Sequence, residues 1–147
     1  MSDTKRELII QACLVRAASI TMANGYNTDM GPNVFRAITN IDPFRLPSCS
    51  IFPLIETTEK IGGGEYSCTM PVKIEVIAAV GAFNPSVLSE LILGDLRKAF
   101  NGSSLTTLIE EILYASGGTS DYSHKDTVPV TVNFTIKYFS KINDPYA

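Results

Sequence analysis

The stretch CTMPVKIEVIAAV, Cys68 to Val80, alternates apolar and polar side chains almost without a break, and VPVTVNFTIKY, Val128 to Tyr138, repeats the pattern. Successive side chains of a strand point to opposite faces, so each stretch offers one apolar face to a core. The opposite faces read Thr69, Pro71, Lys73, Glu75, Ile77, Ala79 and Thr131, Asn133, Thr135, Lys137. A sheet built on these strands and covered by helices on one side has a second face that is wet or meets a partner.

Working outward, Thr4 and Glu7 have capping-box spacing, and Leu8, Ile9, Ala12, Cys13, Ala17 and Ile20 form an apolar stripe. These predict a helix from Thr4 to Ala23, ended by Asn24-Gly25. A short strand is expected over Asn33 to Ile38. Asp42-Pro43 and Leu46-Pro47 punctuate an irregular stretch before a strand over Ser48 to Thr57, in which Pro53 requires an edge or a bulge. Gly62-Gly63-Gly64 then joins this strand to Tyr66–Val80 as an antiparallel hairpin with a protruding tip near 56–66.

Asn84 as cap and Pro85 in the first turn open a second helix. Its apolar face is Leu88, Ile92, Leu96, Ala99 and Phe100, and its end is Asn101-Gly102. Ile109 to Ala115 reads as a short strand, Gly117 to Asp126 as a polar loop and Thr127 to Lys141 as the last strand. The expectation is one α/β domain of the α+β type over residues 1–147. Its mixed, largely antiparallel sheet has four to five strands, with two main helices on one face.

The 147 residues fit one domain, 45% hydrophobic and 18% charged. The low charged fraction leaves apolar surface for burial in an assembly. Net charge is −3, with Lys and Arg spread along the chain, so the basic stripe of a nucleic-acid binder is missing. The polar start lacks the apolar core of a signal peptide, and no run has the length of a membrane span. Three cysteines, Cys13, Cys49 and Cys68, are odd in number and widely spaced. Reduced, buried thiols are expected, although a hairpin of the two middle strands would bring Cys49 toward Cys68.

Chemistry has few footholds. His124 is the one histidine, within Ser120-Asp121-Tyr122-Ser123-His124-Lys125-Asp126. Adjacent loop residues rarely hold the relay that nucleophilic catalysis needs, so a solvated loop is expected. One His and three scattered Cys offer no zinc spacing. Gly62-Gly63-Gly64 lacks the Lys-Ser or Lys-Thr of a phosphate loop. Asn24, Asn27 and Asp29 lack the later bidentate acid of a calcium loop. Glu110-Glu111 on a strand face opposite ways. No enzyme and no cofactor are expected.

The passage ANGYNTDMG (Ala23 to Gly31), followed by Val34-Phe35-Arg36, resembles a recurring passage in tail terminator proteins of tailed bacteriophages. Leu46-Pro47 leading into an apolar strand, LILGDLRKAF (Leu91 to Phe100), the long closing strand and Asp144-Pro145-Tyr146 agree with that family in order and spacing. The resemblance spans nearly the whole chain. It implies a structural virion protein, made in the host cytoplasm, that caps the head-proximal end of the tail tube as a six-fold ring. Its implied partners are copies of itself, the tail tube protein and a head-completion or neck protein. DNA passes through the lumen unread, which needs no basic groove, and no membrane is involved.

The contact elements the resemblance suggests are the hairpin with Gly62, Gly63 and Gly64, the tail with Pro145 and Tyr146, and Arg36, Arg45 and Arg97 as intersubunit ion-pair donors. Two other readings stand beside it. One is a head–tail joining protein. The other is a small-molecule or peptide binding domain, which would be a monomer with a convergent pocket.

Overall fold

The computed structural model describes residues 2–101, 105–119 and 121–147. Helix α1 is Lys5–Ala18 and helix α2 is Pro85–Ala99. The strands are β1 (Val34–Arg36), β2 (Ser48–Pro53), β3 (Thr57–Ile61), β4 (Glu65–Ala79), β5 (Glu111–Gly118) and β6 (Thr127–Lys141). They form one six-stranded sheet of order β1-β2-β4-β6-β5, with β3 also paired to β4. Only the β1–β2 pair is parallel. This is the expected α+β mixed sheet, with more strands than the four to five anticipated.

The two alternating stretches are its spine. β4 and β6 are each 15 residues long and pair from Glu65–Lys141 through Ala79–Thr127. Met70 faces Ile136, Val72 faces Phe134, Ile74 faces Val132 and Val76 faces Val130, so the apolar halves of both strands share a side. The helices cover that side. Ile9, Ile10, Cys13 and Ala17 of α1 and Leu88, Ile92, Leu96 and Ala99 of α2 join those strand residues in one buried cluster. α1 lies over β1 and β2, α2 over β6 and β5.

The sixth strand arises because the expected Ser48–Thr57 strand stops at Pro53 and pairing resumes at Thr57, running on to Ile61 through the expected hairpin region. Pro53 opposes Val72 and Thr57 opposes Thr69, so three residues, Leu54 to Glu56, stand against two on β4. That is a one-residue bulge, placed where proline supplies no amide to the ladder. Beyond it β3 runs to Gly62-Gly63-Gly64. Gly63 (φ 81°) and Gly64 (φ 74°) make the left-handed turn that lets the chain reverse. The hairpin does not stand off the sheet. β4 stays paired with β6 down to Glu65, and Ile142 N donates to the Gly64 carbonyl.

α1 is shorter than its apolar stripe predicts. Ser19 caps it, its hydroxyl and amide both donating to the Arg16 carbonyl. Ile20 is buried beyond the helix end. Thr21 then caps a separate 3-10 turn, Met22–Asn24, which Gly25 closes at φ 87°. Asn24-Gly25 thus ends that turn and not α1. The Thr4–Glu7 box is half formed: Thr4 Oγ1 accepts from Glu7 N, whereas the Glu7 carboxylate goes to Arg36.

Other boundaries also shift. A second 3-10 turn, Gly31–Asn33, takes the first residue of the expected Asn33–Ile38 strand. Past Arg36, Ala37 turns to φ 53° and ends β1. β5 extends past Ala115 to Gly118 through a register shift between Tyr114 and Ser116. Asn84 caps α2 as expected, its side chain accepting from Ser86 N; Gly102 of the predicted helix end lies outside the described residues. Cys49 lies opposite Val76, eight residues along β4 from Cys68, or about 26 Å at a strand's rise. The two thiols therefore do not approach, and all three cysteines are buried and free.

Candidate assembly surfaces

The passages that carry the family resemblance meet in the structure. Asp95 of α2 is buried, and its carboxylate accepts from Asn27 N (2.9 Å) and Thr28 Oγ1 (2.6 Å). Lys98, one turn on, donates to the Gly25 carbonyl at 2.8 Å, with its ammonium 4.7 Å from the Tyr26 ring centre. A buried carboxylate needs such donors, and the Tyr26–Thr28 loop supplies them. Gly31 seats the far end of the loop. Its amide bonds the Ile20 carbonyl, and a Cβ there would lie 2.4 Å from the Ala18 carbonyl oxygen. Asp29 is committed to Met22 N and so is spent within the loop.

The sheet's open face is self-neutralised. Lys73 pairs with Glu75 at 3.2 Å and lies over the Phe52 ring, while Lys137 pairs with Glu111 at 3.5 Å. Asn133 donates to Ser116 Oγ at 3.0 Å. This face is not wholly open, because the chain after β1 folds over it: Ile38 N donates to Ser50 Oγ, and Ser48 and Ser50 are buried.

The suggested contact residues fall in separate places. Arg36 makes a bidentate pair with Glu7 at 2.6 and 2.8 Å, stapling β1 to α1. That guanidinium holds the Glu7 carboxyl below its usual value. Arg45 pairs with Asp42 at 3.8 Å on the exposed β1–β2 connection. Arg97 lies 4.4 Å over the Tyr114 ring, at the opposite, β5 edge of the sheet. Gly62, Gly63 and Gly64 have open space where side chains would be. The tail is docked: the Pro145 carbonyl accepts from Lys5 N at the start of α1, the Ala147 carbonyl accepts from Lys141 N, and Tyr146 remains half exposed.

The bulge is tied down as well. Arg6 donates to Glu56 and to the Leu54 carbonyl, and the Tyr138 hydroxyl makes a short hydrogen bond to Glu56. Burial and the Glu56 carboxylate push the Tyr138 phenol up. Ile55 between them is left 88% exposed.

The loop that invited a hydrolase reading is bonded in the wrong order for one. His124 Nε2 lies 3.2 Å from Asp121, both are largely exposed, and the Ser123 hydroxyl donates to Asp121 and not to His124. Ser123 holds the Asp121 carboxyl below its usual range. Ser120 lies outside the described residues.

Phe44 is the side chain that sequence reasoning missed. Asp42-Pro43-Phe44-Arg45 forms a tight turn, with Arg45 N on the Asp42 carbonyl and Phe44 N on Asp42 Oδ1, and the phenyl ring is 94% exposed. The available signal was an aromatic directly after Asp-Pro, a pair that favours turns.

No family model matches this chain, and no curated protein matches it. Among solved structures it is similar to a chain of the "Virion of native gene transfer agent (GTA) particle". The match has a TM-score of 0.58 at 13% sequence identity and covers 90% of this chain and 92% of that one. At that identity the likeness is one of fold, shared over nearly the full length of both chains.

Proposed function

We propose that this chain is a structural virion protein that caps the head-proximal end of a phage tail tube. In this reading it is not an enzyme. It assembles as a ring of copies, six by the family resemblance, ends tube polymerisation and offers the head-completion protein a docking face. The observation that carries the reading is the fold shared with a virion chain over nearly the whole of both molecules. The meeting of the two resemblance passages at Asp95 adds to it, since their spacing then reflects one packed unit. The open face, with its lysines paired to glutamates, suits a wall past which DNA slides without being held.

Tail lengths in lysates of a phage deleted for this gene, seen by negative-stain electron microscopy, test the proposal. Overlong headless tubes that regain one length on complementation support it. Tails of normal length that fail to join heads move the protein to head–tail joining. Normal infectious particles refute both.

A further inference from the structure

The sheet ends at β5, an eight-residue strand paired only with β6. Backbone groups of a strand point alternately to either neighbour, so half of those on β5 face outward with no ladder to join. The opposite end of the sheet, β1, is three residues long and stops at the Ala37 turn. β5 carries no proline and, beyond Glu111, no charge. Its regular part is 111–114, before the register shift toward Ser116. That part is an unguarded template for one more strand.

A cleft of about 640 Å³ runs along the same part of the edge, between β5 and the end of α2. Ile112, Leu113 and Tyr114 all line it. Successive side chains of a strand face apart, so three in a row can line one cleft only where it reaches round the strand's edge. Buried Phe100 and Phe134 floor it, their ring centres 5.4 Å apart. Gly94 leaves the α2 wall open, with nothing within 4 Å of the position a Cβ would take. An added strand finds ladder groups along its side and an apolar hollow beneath its helix-side residues.

Charge names the chemistry of the partner. The charged lining of the cleft is Arg97 and Lys98, with no acid. Lys98 is spent on the Gly25 carbonyl. Arg97 is not: its guanidinium stacks 4.4 Å from the Tyr114 ring centre and, among the described residues, meets no carboxylate or other acceptor. Stacking sets the plane of the group and leaves its N–H fork open, the arrangement that takes a carboxylate through two parallel hydrogen bonds.

We propose that the β5 edge and its cleft receive an extended segment of a partner protein, which adds a strand to β5 and gives a carboxylate to Arg97. Side chains two apart on a strand share a face. The fitting segment therefore carries an apolar residue over Phe100 and Phe134 and an Asp or Glu two positions from it. Main-chain bonds supply the affinity, and the hollow and Arg97 select the segment. The contact is a local property of the sheet edge and does not depend on the tail-tube reading.

The probe is a capped, dye-labelled peptide of alternating threonines with one phenylalanine and, two residues on, one aspartate. Titrated into the whole protein and followed by fluorescence anisotropy, it should bind saturably and slow amide exchange at residues 111–114. Asparagine for the peptide's aspartate, or Arg97→Gln, should each weaken binding about thirtyfold, and the two together no further. Gly94→Leu fills the hollow from an open position and should abolish binding without lowering the melting curve. N-methylating alternate amides of the peptide should destroy binding in one of the two phases only, the signature of a ladder. Equal affinity for the asparagine peptide, indifference to N-methylation in both phases, or no binding at millimolar peptide overturns the proposal. So does self-association of the protein that the peptide competes away, or a DNA oligonucleotide held by Arg97 in the peptide's place, since each gives the edge another occupant.

Discussion

Asp95 shows how much one buried carboxylate organises. It receives one backbone and one hydroxyl donor from a loop 67 and 68 residues away in sequence. Asp95→Ala leaves both donors unmet and should cost about 2–3 kcal/mol in urea titration, against about 1 kcal/mol for Thr28→Val. Gly31→Ala drives a methyl into the Ala18 and Ile20 carbonyl oxygens, both backbone atoms that cannot swing aside. A loss of more than about 2 kcal/mol is expected, whereas Gly62→Ala, with open space around it, should stay within about 0.5 kcal/mol. Neither role was legible in the sequence. Asp in LGDLRK reads as a helix-surface charge, because its partners come from another passage, and Gly31 reads as a turn residue until the carbonyls above it are placed.

The long strands were legible because periodicity two survives wherever one face is buried. β6 falls on its predicted residues and β4 within one at each end. Short elements failed for local reasons. α1 kept its apolar stripe to Ile20 although Ser19 had already closed the helix on the Arg16 carbonyl, since burial continued after the helix stopped. The Pro53 bulge was foreseen as a chemical need but not as the break that makes a sixth strand. The α1–β1 staple gives this level its own prediction. Glu7 is depressed in the folded chain, so its contribution is complete above the ordinary glutamate value, about 4.3, and is lost as pH falls through the lowered one. Arg36→Ala should lower the neutral and alkaline part of a stability–pH curve and flatten its acid limb, with the two curves converging below the lowered Glu7 value.

For the whole molecule, the thiols report global unfolding. Burial pushes Cys13 and Cys49 up to about 12. Their protonated forms favour the folded state fully below the ordinary thiol value, about 8.5, and that advantage is lost as pH rises toward the shifted one. A thiol reagent at neutral pH should label none of the three until denaturant unfolds the chain, and then all together. The assembly surfaces were the least legible part, because an exposed phenyl or an unpaired edge has no periodic signature; only the fold reveals which side each occupies. The spine has a mechanical consequence. Its 15-residue strands span about 50 Å. Both ends are pinned, by Val80 N on the Asp126 carbonyl and Ile142 N on the Gly64 carbonyl. Tension along such a ladder loads every rung in shear at once and finds no loose end to peel. Each molecule is thus a stiff stave along one axis, and force applied along it should pass through the protein before it deforms it.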